Sequence, residues 1–142
     1  MRRKQIVVSL LVLGSAVASG QQPATVYDQE DGVTLPVAIK VVQPTYTPQA
    51  RTAGIVGFVM VEAVVLATGT VADVKVVRSE LRPSQGAQKF LTPDEVTKLG
   101  LDKQALNAAK RSTFKPGTKG GKPVAVRILI EMKFTPQVAR GL

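Results

Sequence analysis

Apolar side chains dominate two neighbouring stretches in the middle of the chain. Residues 55–67 are nearly all apolar and rich in β-branched side chains, and residues 71–78 resume this character after a turn at Gly69. The length and the valine content predict two strands, and the glycine supplies the backbone freedom that a hairpin turn needs. The apolar positions of the second strand are out of step by one residue, which indicates a β-bulge near Asp73.

A third strand is predicted near the end of the chain. Apolar residues occupy every even position from Val124 to Phe134, and mostly polar residues occupy the odd positions between them. Strict alternation is typical of a strand with one buried face. Farther upstream, residues 33–43 place Val37, Ile39 and Val41 two residues apart, which indicates a short strand or an extended arm.

Capping residues predict three helices. Thr47 followed by proline starts a short helix over residues 48–53, and the capping box that begins at Thr92 starts one or two turns over residues 93–99. Asp102 is predicted to cap a helix over residues 103–113, with the following phenylalanine packed under its end. The order helix–strand–strand–helix–strand predicts an α+β domain in which helices cover one face of a small antiparallel three-stranded sheet.

Short motifs recur in a fixed order over about two-thirds of the chain. They are Pro44-Thr45-Tyr46, Ala50-Arg51, Gly57–Val65, Val71–Ser79, Leu101-Asp102 with Ala105 and Ala108, Phe114–Gly117, and Gly121–Val126. This order and spacing resembles the C-terminal domain of the TonB family. Two departures stand out: Ser112 stands where the family usually has tryptophan, and residues 80–100 form an insertion that the family usually lacks.

The resemblance implies a binding function. In the TonB family the last strand of the domain recruits an extended peptide, the TonB box of an outer-membrane transporter, and a Gln-Pro segment ahead of a tyrosine contributes to the contact. Carried over to this chain, the resemblance implies a peptide-binding site made of Gln43, Pro44, Tyr46, Val126, Arg127, Ile128, Leu129, Ile130 and Glu131.

The N-terminus has the order of an export signal. Three basic residues precede the apolar run Ile6–Leu13, and small residues follow it. We therefore predict a signal peptide over residues 1–20 that is cleaved to leave a periplasmic protein, because the apolar core is shorter than the ~20 residues that span a bilayer. An uncleaved inner-membrane anchor is the alternative. A flexible spacer over residues 21–36, the domain over residues 37–136 and a tail over residues 137–142 complete the predicted organisation.

Composition removes several functions. The chain has no Cys and no His and a formal net charge of +9, so disulfides, thiolate metal sites and histidine acid–base chemistry are excluded. We predict no enzyme activity and no cofactor, and nucleic-acid binding is disfavoured because no recognition motif is present. The leading hypothesis is a periplasmic peptide-binding module linked to TonB-dependent transport.

Two other functions stay open at this stage. A short membrane-anchored energy transducer would couple to an ExbB/ExbD-type complex, as the family resemblance implies. A structural envelope protein would instead bind anionic cell wall through its basic surface. Pairing of strand edges makes a homodimer plausible in either case.

Overall fold

The computed structural model describes residues 25–86 and 89–136. The predicted signal peptide and the predicted tail lie outside these residues. The secondary-structure elements are β1 (Val26–Tyr27), β2 (Val37–Lys40), α1 (Pro48–Thr52), β3 (Ile55–Val65), β4 (Val71–Pro83), α2 (Pro93–Lys98), α3 (Leu101–Arg111), β5 (Thr113–Lys115), β6 (Gly117–Lys119) and β7 (Lys122–Phe134).

The three long strands form an antiparallel sheet with β3 in the middle. The strand order is β1-β7-β3-β4, and β6 also pairs with the first residues of β7. β3 is antiparallel to both β4 and β7, whereas the two-residue β1 lies parallel to β7. The predicted α+β class and its three-stranded core are therefore confirmed, and the structure adds the short strands at the margin of the sheet.

Alternate side chains of β3 and β7 are buried and form much of the core. Val59, Val61, Ala63 and Val65 of β3 are fully buried, as their spacing predicts. The even-numbered positions of β7 point the same way, and α3 covers this face with Leu101 and three buried alanines. Burial of each valine or leucine side chain stabilises the fold by about 1.5–3 kcal/mol before losses of conformational entropy are subtracted.

β4 is longer and less regular than predicted. It runs to Pro83 instead of ending at residue 78, so the predicted insertion begins inside a strand. Its register against β3 shifts twice, once between the partners of Met60 and Val61 and once between those of Glu62 and Val64. The second shift contains Asp73 at φ 50°, which places the predicted bulge at the expected residue.

The helices begin largely as predicted, but α3 differs at both ends. Thr47 caps α1, and Thr92 and Glu95 form the predicted capping box of α2. Asp102 does not cap α3, because Gly100 in a left-handed conformation takes the N-cap position. The Asp102 carboxylate instead accepts a hydrogen bond from the Thr97 hydroxyl at 3.0 Å.

α3 also ends two residues before the predicted Thr113. Ser112 is already extended, and the next three residues form β5. The Ser112 hydroxyl, which is 2% exposed, donates to the Ala108 carbonyl and accepts from the Val42 N–H, both at 3.0 Å. A small polar residue thus joins the helix end to the extended segment beside it, at the position where the family usually has tryptophan.

The segment before the domain is not the free spacer that the sequence predicts. β1 pairs Val26 and Tyr27 with Ala125 and Val126, and Thr34 forms a further bridge to the strand before β7. Two apolar residues between polar neighbours carry too little periodicity to predict a strand. Their pairing depends on the backbone of β7, which the local sequence does not show.

The segment from β2 to α1 runs from the tip of the β3–β4 hairpin to the last residue of β7. β2 pairs antiparallel with β5 near the tip of the β3–β4 hairpin, where the Phe114 N–H donates to the Gly69 carbonyl at 3.0 Å. From there the chain passes the end of α3 and reaches Tyr46, whose ring contacts Phe134 at the far end of β7. The predicted extended arm over residues 33–43 is therefore a short strand that continues toward the far end of β7.

Candidate functional site: the open edge of the sheet

The hairpin between β3 and β4 shows which way the backbone groups of β3 point. At one end the Leu66 N–H donates to the Thr70 carbonyl, and at the other end the Ser84 N–H donates to the Gly54 carbonyl, both at 2.8 Å. In an antiparallel ladder, alternate residues direct their N–H and C=O groups to the same neighbour. Even-numbered residues of β3 therefore face β4, and odd-numbered residues face β7.

The same reasoning identifies the free backbone groups of β7. Its register against β3 runs without a shift from Val126 to Phe134, so the odd residues of β3 meet the even residues of β7. The odd-numbered residues Leu129, Glu131 and Lys133 direct their N–H and C=O groups away from β3. No described strand pairs with β7 on that side beyond Val126, so these groups form an open edge of a kind that templates strand pairing.

β1 closes the other end of this edge. Asp28, the first residue after β1, accepts a hydrogen bond from Arg127 at 2.7 Å between Oδ1 and Nη1. This contact raises the pKa of the guanidinium, with a smaller contribution from the nearby Glu62. Arg127 Nε also lies 3.6 Å from Glu62 Oε1. The ion pairs hold the arm at the point where the open edge begins.

An open cleft of about 320 Å³ lies where β1 meets the edge. Asp28, Gln29 and Glu30 form its arm side, and Arg127, Ile128 and Leu129 form part of its sheet side. The cleft is continuous with the first free groups of β7. A peptide strand laid along the edge would therefore begin or end in a partly acidic recess.

The opposite edge of the sheet is protected. The two bulges of β4 interrupt its regular spacing, and the Leu91 N–H donates to the Leu81 carbonyl at 2.7 Å. The insertion over residues 80–100 thus returns along β4 and occupies part of its outer side. Bulges and covering segments are the usual ways in which proteins block edge-to-edge pairing, and the residues after Val126 on β7 have neither.

Tyr46 supports the far end of β7. Its ring meets Phe134 edge to face, with centroids 5.5 Å apart and an interplanar angle of 77°. Its hydroxyl donates to the Ile55 carbonyl at 2.6 Å, two residues before Gly57, where the β3–β7 ladder ends. Burial raises the pKa of this hydroxyl. Gln43 is exposed and Pro44 is half-buried in the segment just before Tyr46.

The residues predicted on β7 divide by parity. Ile128 and Ile130 pack in the core, Val126 is buried, and the backbone groups of all three face β3. They hold the strand in place, but their backbone groups are not available to a partner. Leu129 and Glu131 present both backbone groups and exposed side chains. The sequence prediction missed Lys133, which continues the same alternation and pairs with Glu131 at 3.6 Å.

Asp28 and β1 were also missed, because their contacts are with residues about a hundred positions later. The site as described has chemistry suited to binding. Within residues 25–86 and 89–136, no three acidic side chains come together as a metal ion would require. What the edge offers is a row of backbone donors and acceptors, one exposed leucine and charged side chains of both signs.

Within the described residues, the geometry defines a small α+β domain whose main sheet has an open edge along β7. The family described as the Gram-negative bacterial TonB protein C-terminal matches residues 42–91 and 95–136. These segments make up more than half of the chain, and the chain belongs to this family. Comparison with the curated proteins found no significant match.

One similar solved structure is the solution NMR structure of the Pseudomonas aeruginosa TonB CTD. It is 20% identical over 78% of this chain and 95% of that chain, with a TM-score of 0.43.

Family membership gives the coarse setting of the protein. TonB family proteins act in the periplasm, and their C-terminal domains interact with outer-membrane TonB-dependent transporters. The family is one of energy transducers and binding proteins and not of enzymes. In the part of the chain that the structure describes, the helices are too short or too polar to cross a bilayer.

Proposed function

We propose that this protein binds an extended segment of an outer-membrane TonB-dependent transporter by adding it as a strand to the open edge of β7. The observation that carries the proposal is the row of free backbone groups at Leu129, Glu131 and Lys133. A peptide strand would pair with these groups, and the main-chain hydrogen bonds would supply most of the affinity.

The two edges of the sheet support this assignment by contrast. β4 is bulged and partly covered, whereas β7 is regular where it is free. At roughly 3.4 Å per residue, the stretch from Arg127 to Phe134 is about 24 Å long, which is enough for a peptide strand of six or seven residues. β1 sets one limit of that stretch, and Tyr46 with Gln43 and Pro44 lies toward the other.

Side chains would then modulate which peptide is chosen. Leu129 is 54% exposed and would contact apolar side chains of the incoming strand. Glu131 and Lys133 would favour peptides that complement one charge of each sign. Because their charges are exposed, these contacts should be weak and sensitive to salt, whereas the backbone bonds should be less so.

Amide hydrogen exchange on the wild-type protein tests the proposal directly. In the free protein the N–H groups of Ile130 and Met132 should already exchange slowly, because they face β3. Those of Leu129, Glu131 and Lys133 should exchange fast and become protected only when a TonB-box peptide is added. Protection that appears elsewhere, or no change at millimolar peptide, would overturn the assignment.

A pair of variants at one position separates backbone from side chain. Leu129→Ala keeps the N–H and should weaken peptide binding only slightly in titration calorimetry. Leu129→Pro deletes that N–H and distorts the strand, and should abolish binding. Circular dichroism melts establish that the proline variant is folded. A folded Leu129→Pro protein that binds like the wild type would refute strand addition at this edge.

A further inference from the structure

An exposed apolar cluster surrounds β2, near the tip of the β3–β4 hairpin. Leu35, Val37, Ile39 and Val41 are 45%, 60%, 71% and 38% exposed, and we refer to these four residues as the β2 patch. Single exposed aliphatic side chains are ordinary, but a concentration of them in one short segment indicates a contact surface. The site described above makes no use of it.

The local structure explains why these side chains stay in solvent. β2 pairs with β5 on one side, and no described strand pairs with its other side. All four of its residues are exposed. The chain returns to the core only at Val42, whose N–H is bound by the Ser112 hydroxyl. The patch thus lies on a two-stranded ribbon near the tip of the β3–β4 hairpin.

Two lysines lie on the ribbon beside the patch. Lys40 lies in β2 itself, and Lys115 is the register partner of Val37. Both are exposed, and neither forms an ion pair with a described residue. Residues 32–61 contain no acidic residue, and neither do residues 103–130, which include β5.

We propose that the β2 patch docks onto the surface of an anionic phospholipid bilayer. Aliphatic side chains at the centre would enter the boundary between headgroups and acyl chains, and the flanking lysines would meet lipid phosphates. The aliphatic cluster and the lysines together favour a lipid bilayer as the partner. An acidic polysaccharide would need the cations but not the aliphatic cluster, and an apolar peptide would need the cluster but not the cations.

A dye attached at one position tests docking without ambiguity. The chain has no Cys, so Thr113→Cys in the full chain accepts a single polarity-sensitive dye within β5, on the exposed face of the ribbon that Val37 and Lys115 share. Gln49→Cys places the same dye on α1, at the opposite end of β3, as the control. We expect a blue shift at position 113 with vesicles of phosphatidylglycerol and phosphatidylethanolamine, none with phosphatidylcholine vesicles, and none at position 49.

Position-specific labelling matters because the apolar run Ile6–Leu13 could attach the whole chain to vesicles by itself. Such attachment would affect both dyes or neither. An equal shift at positions 113 and 49, or no shift at position 113, would overturn the proposal. Because this surface is separate from the β7 edge, that outcome would leave the proposed peptide binding untouched.

Matched substitutions in the labelled Thr113→Cys protein give the second readout. Val37→Thr with Ile39→Thr keeps β-branched side chains, so β2 stays paired while roughly tenfold of the partitioning should be lost. Lys115→Gln should cost roughly fivefold. Val77→Thr, on an exposed valine of β4, should change nothing. Partitioning that is unaffected by the double threonine variant would show adsorption by net charge alone and would overturn docking through the patch.

Discussion

Removal of the Tyr46 hydroxyl tests whether this residue supports the sheet or serves the partner. In Tyr46→Phe the ring and its contact with Phe134 remain, and only the hydrogen bond to the Ile55 carbonyl is lost. That bond is 2.6 Å long and partly buried. A typical bond of this kind contributes about 0.5–1.5 kcal/mol to the free energy of unfolding. We expect the variant to be about 1 kcal/mol less stable near neutral pH, with peptide binding unchanged.

The pH dependence of this loss has a definite sign. Burial raises the pKa of Tyr46 in the folded state above its unfolded value of 10.0. The folded state therefore holds the phenolic proton more tightly, and the stability that this provides is present below the unfolded pKa and lost as pH rises through the folded pKa. Phenylalanine cannot titrate, so the advantage of the wild type over Tyr46→Phe should shrink above about pH 10.

Urea denaturation followed by circular dichroism, at about pH 8 and again at about pH 11, measures both effects. Other groups titrate at high pH, but they do so in both proteins, and the difference between the two proteins isolates Tyr46. Tyr27→Phe is the matched control, because it keeps the ring that lies 4.6 Å from the Lys119 ammonium and should change stability little. Equal stability of Tyr46→Phe and wild type at pH 8, or a difference that does not shrink at high pH, would refute the reasoning.

Two further substitutions test the packing around the sheet. Ser112→Ala leaves the Val42 N–H without its acceptor. The free energy of unfolding should fall by about 1–3 kcal/mol in urea melts. A loss below about 0.5 kcal/mol would mean that water replaces the hydroxyl. Gly57 lies at φ 132°, and a Cβ there would overlap the Glu80 carbonyl oxygen, so Gly57→Ala should unfold or severely destabilise the domain. Gly32→Ala is the control, because a Cβ there would meet open space at φ 71°. This variant should stay folded and lose about 1 kcal/mol of unfolding free energy. Similar stability of the Gly57→Ala and Gly32→Ala proteins would contradict the steric argument.

Local patterns predicted most of the elements. The hairpin of β3 and β4, the bulge at Asp73 and the buried face of β7 all follow from which side chains alternate and where the phase slips. The starts of α1 and α2 follow from threonine caps. These features depend on residues within a few positions of one another, so the sequence carries them directly.

The errors lie where a distant residue competes with a local signal. Asp102 is a good N-cap by composition, yet Gly100 takes the position in the folded chain, and α3 ends at Arg111 because Ser112 bonds across to Val42. β1 was missed for the same reason. Its two residues become a strand only because β7 offers them a partner.

In the candidate site, too, some features follow from the local sequence and others from distant contacts. The sequence by itself determined that a long final strand would exist and which of its side chains would be buried, because burial follows from a period of two. It did not determine which backbone groups are free. That depended on the direction in which β3 pairs with β4, on β1 closing one end of β7, and on the insertion returning along β4. Hydrogen-bond pairing between strands is a property of their arrangement in space, and only the tertiary structure decided which edge stays open.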